Sequence, residues 1–323
     1  MSYTAVDQIT AAGAALEDTA RALGAAGISA ARAVPVAGRV FGGAPRLELA
    51  GRVVFVTGAA RGIGAEVARQ AHARGARVAL VGRRLKPLQE LAAELGEGAA
   101  AFQADVGDLD ALQRAADATV ARFGGIDVVI ANAGIAPPSE PILTIDPGEF
   151  ERTVDIDLLG QWRTIRATLP AVIERRGHIL VVASIYSFVN GALNASYAAS
   201  KAGVEQLTRA LRVELAHHGA TAGVAYLGFV DTDLVGDVFA QQQIVEARSI
   251  APSFVTRPIT VNRAARTLVD GVESRAATVA APGWIRPLLP LRGLAGTIMD
   301  EFMIANPGLS RAISRAKRKQ NAQ

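Results

Sequence analysis

Val53-Val54-Phe55-Val56-Thr57-Gly58-Ala59-Ala60-Arg61-Gly62-Ile63-Gly64 is the stretch that decides the fold. Four strand-forming side chains run into a glycine loop, and Ile63, Val67 and Ala71 follow at helical spacing. The junction predicts a strand, a turn and a helix N-terminus in immediate succession. A helix start carries unpaired N–H groups and a partial positive charge, and glycines let the backbone approach closely, so the arrangement suits a phosphate. The spacing is Gly58-x3-Gly62-x-Gly64 and not G-x-G-x-x-G. Taken alone, the loop also fits a tight strand-to-helix turn with no ligand.

The rest of the chain repeats the alternation. Strands are expected near 53–57, 77–82, 99–103, 126–131, 178–183, 223–227 and 277–280. Helices are expected near 63–74, 85–95, 108–123, 147–175 (broken), 196–217 and 261–274. Asp146-Pro147-Gly148-Glu149 reads as a helix start, with a cap, a proline in the first turn and a glutamate three residues after the cap. Such alternation predicts an α/β fold: a Rossmann-type, doubly wound parallel sheet of seven strands with helices on both faces. No internal repeat is visible.

A second constellation sharpens the reading. Lysine occurs only at 86, 201, 317 and 319, and tyrosine only at 3, 186, 197 and 226. Tyr197 and Lys201 stand at i and i+4 in a segment of helical periodicity (Val204, Leu207, Leu211, Leu215), so they share one helix face. A phenol beside an ammonium is easier to ionise, which suits proton exchange near neutral pH. Ser184 precedes the pair.

With these residues in place, the chain resembles the short-chain dehydrogenase/reductase family. The resemblance rests on the loop 57–64, Asp105-Val106, Asn132-Ala133-Gly134, Ser184, Tyr197-x3-Lys201 and Gly228-Phe229-Val230-Asp231-Thr232, in the family's order, and covers about Leu49 to Pro282. It implies that Tyr197 is the general acid in reduction and the base in oxidation. Lys201 then lowers the tyrosine pKa and holds the nicotinamide ribose, and Ser184 polarises the carbonyl. It also implies cofactor contacts from Gly58, Ala60, Arg61, Gly62, Ile63 and Gly64 in the loop and from Asp105 and Val106 at the adenine. Asn132, Ala133 and Gly134 line the cofactor, with Val230 and Thr232 at the nicotinamide amide. Two positions depart from the family pattern. Asp157-Leu158-Leu159-Gly160 stands where the family commonly has Asn-x-x-Gly, and Leu227-Gly228 stands where it commonly has Pro-Gly. Asp157 either accepts the water hydrogen bonds of the family asparagine, adding a charge near Lys201, or is a helix-face acid without a catalytic part.

Cofactor choice is read at the end of the second strand. Selection of NAD needs a carboxylate there for the ribose hydroxyls. Here the strand ends Gly82-Arg83-Arg84, with no acid, and Arg61 sits in the loop. Guanidiniums without a carboxylate favour a 2′-phosphate, hence NADP(H), with NAD(H) as the alternative.

Composition sets the bounds. The chain has 323 residues, no cysteine and a formal charge of +4. Disulfides and thiol catalysis are excluded. There is no basic stripe interleaved with aromatics, so no nucleic-acid partner is expected. His72, His178, His217 and His218 lack metal spacing, and no metal is expected. The N-terminus lacks a basic region followed by a long apolar one, being interrupted by Asp7, Glu17 and Asp18, and no run of eighteen apolar residues exists, so neither a secretory leader nor a spanning helix is expected, and the reading is cytoplasmic.

We divide the chain into an appended arm and linker (1–48), a catalytic nucleotide-binding domain (49–282) and an apolar, basic extension (283–323). The extension runs from Pro282-Gly283-Trp284 through Leu288 to Met303 and ends with Arg311, Arg315 and Lys317-Arg318-Lys319. It covers the pocket or packs between subunits, or lies peripherally on an anionic membrane, or is a free tail. The sequences Phe188-Val189-Asn190-Gly191-Ala192-Leu193 and Ile135-Ala136-Pro137-Pro138 suggest an apolar pocket. The expected protein is a homodimeric or homotetrameric oxidoreductase moving a hydride between NADP(H) and a lipophilic ketone or secondary alcohol (steroid-, sterol- or acyl-like). The alternatives are an NAD-linked alcohol dehydrogenase and a non-catalytic nucleotide-sensing or scaffold protein of the same fold.

Overall fold

The computed structural model describes residues 46–232, 236, 256–305, 311 and 313. The expectations for the arm at 1–45 and for the basic residues after Arg311 lie outside the described residues.

Seven strands form one sheet: β1 (Val53–Thr57), β2 (Arg77–Gly82), β3 (Ala99–Gln103), β4 (Val128–Ala131), β5 (His178–Ser184), β6 (Thr221–Leu227) and β7 (Thr278–Ala281). Their order is β3-β2-β1-β4-β5-β6-β7, and every neighbouring pair is parallel. The helices are α1 (Gly62–Ala73), α2 (Leu85–Leu95), α3 (Leu109–Phe123), α4 (Pro147–Val154), α5 (Gly160–Glu174), α6 (Ala195–Leu215), α7 (Val261–Glu273) and α8 (Leu288–Ile304).

The strands are apolar nearly throughout because both sheet faces are covered. Val54 and Val56 of β1 join the core beneath α1, α2 and α7, with Val67, Leu88 and Leu268. Phe55 points the other way, into the core beneath α3, α5 and α6, with Leu112, Ile165 and Leu211. That alternation is the two-residue period of a strand with a core on each side. Full burial of side chains such as Phe55, Leu80 and Leu180 stabilises the fold by about 1.5–3 kcal/mol each. Leu47 and Leu49 are buried in the first core, so the chain joins the fold just ahead of the predicted boundary.

The strand and helix positions match the expected ones closely. β4 begins at Val128, two residues late, and just before it the Asp127 carboxylate accepts hydrogen bonds from Arg52 and from the Val53 N–H at 2.9 Å each. The break expected within 147–175 is a widened π turn, Asp155–Leu159, which joins α4 to α5 without leaving the helical path. Asp146 caps α4 as predicted, accepting the Glu149 N–H at 3.0 Å. The extension after Pro282 is not a free tail between 288 and 304, where it forms α8.

Candidate active site

The sheet order reverses between β1 and β4, and a crevice opens beyond their carboxyl ends, the usual ligand position in such sheets. Thr57 ties the two strands together there. Its Oγ1 accepts the N–H groups of Asn132 (3.1 Å) and Ala133 (3.2 Å), and its carbonyl accepts Asn132 Nδ2 (3.0 Å). The loop that follows needs glycine for two separate reasons. Gly58 and Gly62 have φ of 68° and 54°, a region side-chain-bearing residues disfavour. A Cβ at Gly64 would stand 2.3 Å from the Gly58 carbonyl oxygen.

The crevice is a cleft of about 540 Å³, and it gathers nearly every predicted site residue. Gly58, Ala60, Arg61, Gly62 and Ile63 line its middle; Gly64 does not line it but packs behind the loop. Arg83, Arg84, Asp105 and Val106 line it from the ends of β2 and β3. Asn132, Ala133 and Gly134 continue from β4, with Val230 and Thr232 beyond β6. Asp157, Ser184, Tyr197 and Lys201 complete it. Asp105 also caps its own turn, accepting the Gly107 N–H at 2.9 Å, and lies 3.8 Å from Arg83.

The chemistry-bearing side chains converge from three elements. Ser184 ends β5, and its hydroxyl donates to the Leu227 carbonyl at 3.3 Å while accepting the Tyr186 N–H at 3.3 Å. Tyr197 and Lys201 come from the first turns of α6, with the ammonium 5.3 Å from the phenol ring centroid. Lys201 Nζ donates to the Val182 carbonyl at 3.4 Å and lies 3.7 Å from Asp157 Oδ2. Asp157 is fully buried, and its Oδ1 accepts the Ile135 N–H at 2.7 Å.

The electrostatics correct one expectation. Lys201 does pull the Tyr197 pKa down, but burial is the larger effect and Asp157 opposes the lysine, so the phenol lies above its ordinary value of 10. Burial likewise raises the Asp157 carboxyl, against the pull of Lys201 and the Ile135 hydrogen bond. Asp157 thus faces Lys201 from within the fold and not solvent. Gln161 went unpredicted. Buried on α5, it donates to the Ala133 carbonyl at 2.6 Å and braces the β4 loop. Its sequence signal, an amide among apolar helix positions, is too common to single out. Among the described residues no cluster of His, Asp or Glu is placed to hold a metal, and no helix is long and apolar enough to cross a membrane.

Comparison with known proteins agrees with this geometry. The short chain dehydrogenase family profile matches residues 52–243. A cis-4-hydroxycyclohexanecarboxylate dehydrogenase of Sinomonas cyclohexanicum is 35% identical over 227 residues, covering 69% of this chain and 91% of that protein. An 11-beta-hydroxysteroid dehydrogenase A of Sesamum indicum is 32% identical over 248 residues, covering 74% of this chain and 70% of that protein. The crystal structure of gox2181 shares the fold at a TM-score of 0.67 and 24% identity, over 74% of this chain and 97% of that one. The chain belongs to the short-chain dehydrogenase family, and it is an oxidoreductase acting on CH–OH groups with a nicotinamide nucleotide.

Proposed function

We propose, from membership of that family and from the site's geometry, that the chain moves a hydride between NADP(H) and a lipophilic ketone or secondary alcohol. The observation that carries the reading is that Ser184, Tyr197 and Lys201 line the same cleft as the glycine loop. The residues present fit a dinucleotide. The loop is so close-packed that a side chain at Gly64 has no room, and the start of α1 offers its N–H groups to a pyrophosphate. Arg61, Arg83 and Arg84 line the cleft with no acid at the end of β2, which supports a 2′-phosphate. The nucleotide, when bound, supplies or takes the hydride.

The protein's own part is proton transfer and charge stabilisation. Tyr197 donates its phenol proton to the substrate oxygen in reduction, and its phenolate receives the alcohol proton in oxidation. Ser184 hydrogen-bonds the same oxygen as negative charge develops on it. Lys201 favours the phenolate that proton loss leaves behind. Asp157 tempers the lysine's charge and holds the Ile135 backbone at the cleft edge. Relatives named for a hydroxysteroid and a hydroxycyclohexanecarboxylate support a cyclic, largely apolar substrate.

Titration of NADPH and NADH tests the cofactor reading. NADPH binds more tightly to the wild type. Gly82→Asp with Arg83→Ala reverses the order, because a Cβ at Gly82 meets nothing nearer than Leu88 at 3.7 Å and the new carboxylate has room. Tighter NADH binding by the wild type overturns the reading.

A further inference from the structure

Glu205 sits one helical turn beyond Lys201 on α6, is 4% exposed and takes no part in the chemistry above. Its carboxylate accepts a hydrogen bond from the Arg292 guanidinium of α8 and lies 3.7 Å from Arg209. Tyr226, buried on β6, stands beside this pair, and both Glu205 and Arg292 act on its phenol. Burial, helped by the Glu205 charge, pushes its phenol up to about 12. The cluster staples α8 to the catalytic helix and to the strand beside Ser184.

From this staple three contacts reach residues 188–194. The Tyr226 ring meets Phe188 edge-on at 5.9 Å. Asp300 of α8 accepts Asn190 Nδ2 at 2.8 Å. Met303 of α8 packs on Leu193. Leu193 is 4% exposed with φ of 67°, a conformation that a branched side chain holds only where its surroundings impose it. The loop leaves from Ser184 and returns at Tyr197, so both its ends are tied to the reacting centre.

We propose that Arg292 is a positioning residue: by latching α8 to Glu205 it makes that helix hold residues 188–194, the segment joining Ser184 to Tyr197, in the one conformation that a bulky substrate meets on reaching the cleft. The inference rests on the function proposed above and adds the element that sets substrate size. Loss of the latch leaves the loop to be ordered at each binding event, and that ordering weakens binding only for substrates that touch it.

The test uses the full chain with Arg292→Met, and with Asp300→Ala as an exposed second break that spares the buried acid. Hydrogen exchange of the 188–194 amides, which needs no substrate, is expected to accelerate in both. With 1-decalone, KM rises about tenfold in Arg292→Met while kcat stays within about twofold, and KM for the small ketone diacetyl barely moves. Arg292→Lys, which restores the charge, recovers most of the change. Unchanged exchange in both folded variants, or an equal rise of KM for both ketones, overturns the latch. A wild type that turns over no carbonyl with either nucleotide overturns the function instead, and the exchange measurement then still decides the latch.

Discussion

Gly64→Ala is the sharpest test of whether the loop after β1 cradles a phosphate or is merely a tight turn. The added methyl would lie 2.3 Å from the Gly58 carbonyl oxygen and 2.8 Å from Asn132 Nδ2. A carbon needs about 3.3 Å from a carbonyl oxygen, so the start of α1 must back away from the loop by about 1 Å. Overpacking of this kind costs about 1–3 kcal/mol, which, borne by the bound state, is about five- to 150-fold in nucleotide affinity. Gly62→Ala separates strain from crowding. Its Cβ meets only Thr232 Cγ2, at 3.5 Å, but φ of 54° disfavours any side chain. That variant should lose about 1–2 kcal/mol of stability, a melting shift of about 2–8 °C, with a smaller change in affinity. Gly283→Ala, with open space at its Cβ, is the control. Fluorescence titration with NADPH beside thermal melting reads both quantities. A folded Gly64→Ala protein that binds NADPH as tightly as the wild type refutes the cradle.

The other predictions concern protons. Tyr197→Phe should lose about 10²–10⁴ of turnover with NADPH affinity retained, and near-normal turnover would remove Tyr197 from proton transfer. Asp157→Asn removes a negative charge that raises the Tyr197 pKa, so the pH of half-maximal alcohol oxidation should move down; a stationary profile would sink that role. His178 is fully buried at the start of β5 with Nδ1 2.8 Å from Thr221 Oγ1, and burial lowers its pKa to about 3. Between that value and the ordinary 6.5 the unfolded chain binds the proton and the folded chain does not. Stability should therefore fall by up to about 1.4 kcal/mol per unit as pH drops below 6.5, a component absent from His178→Gln in urea titrations at pH 7.5 and 5.

What the sequence made legible was local. Each strand announced itself as an apolar run because both faces are covered, and Tyr197 and Lys201 were paired by helical spacing alone. What stayed hidden was tertiary. The sign of the Tyr197 shift depends on burial, which no spacing reveals. Glu205 and Arg292 are 87 residues apart and share no periodic pattern, so their pairing appears only when α8 docks. Leu193 gives no hint of its positive φ, because only glycine or asparagine advertises such a backbone. The extension after Pro282 read as apolar and basic, and nothing in it said which of its residues would face the catalytic helix.

The π turn at 155–159 acts as a phase shifter. Each residue of an α-helix advances about 100°, so a helix running straight from 147 to 174 would keep one azimuth toward one neighbour. α4 packs on α6, whereas α5 packs on α3, and the widened turn between them supplies the change of angle without a loop. Asp157 sits at the centre of that turn, and Gln161 begins the new phase. Excising any one residue of the five would restore the regular winding and swing either the buried acid or the amide brace out of the cleft. The catalytic pocket thus depends on a count of residues as well as on their kinds, and single-residue insertions or deletions here should be far more damaging than most substitutions.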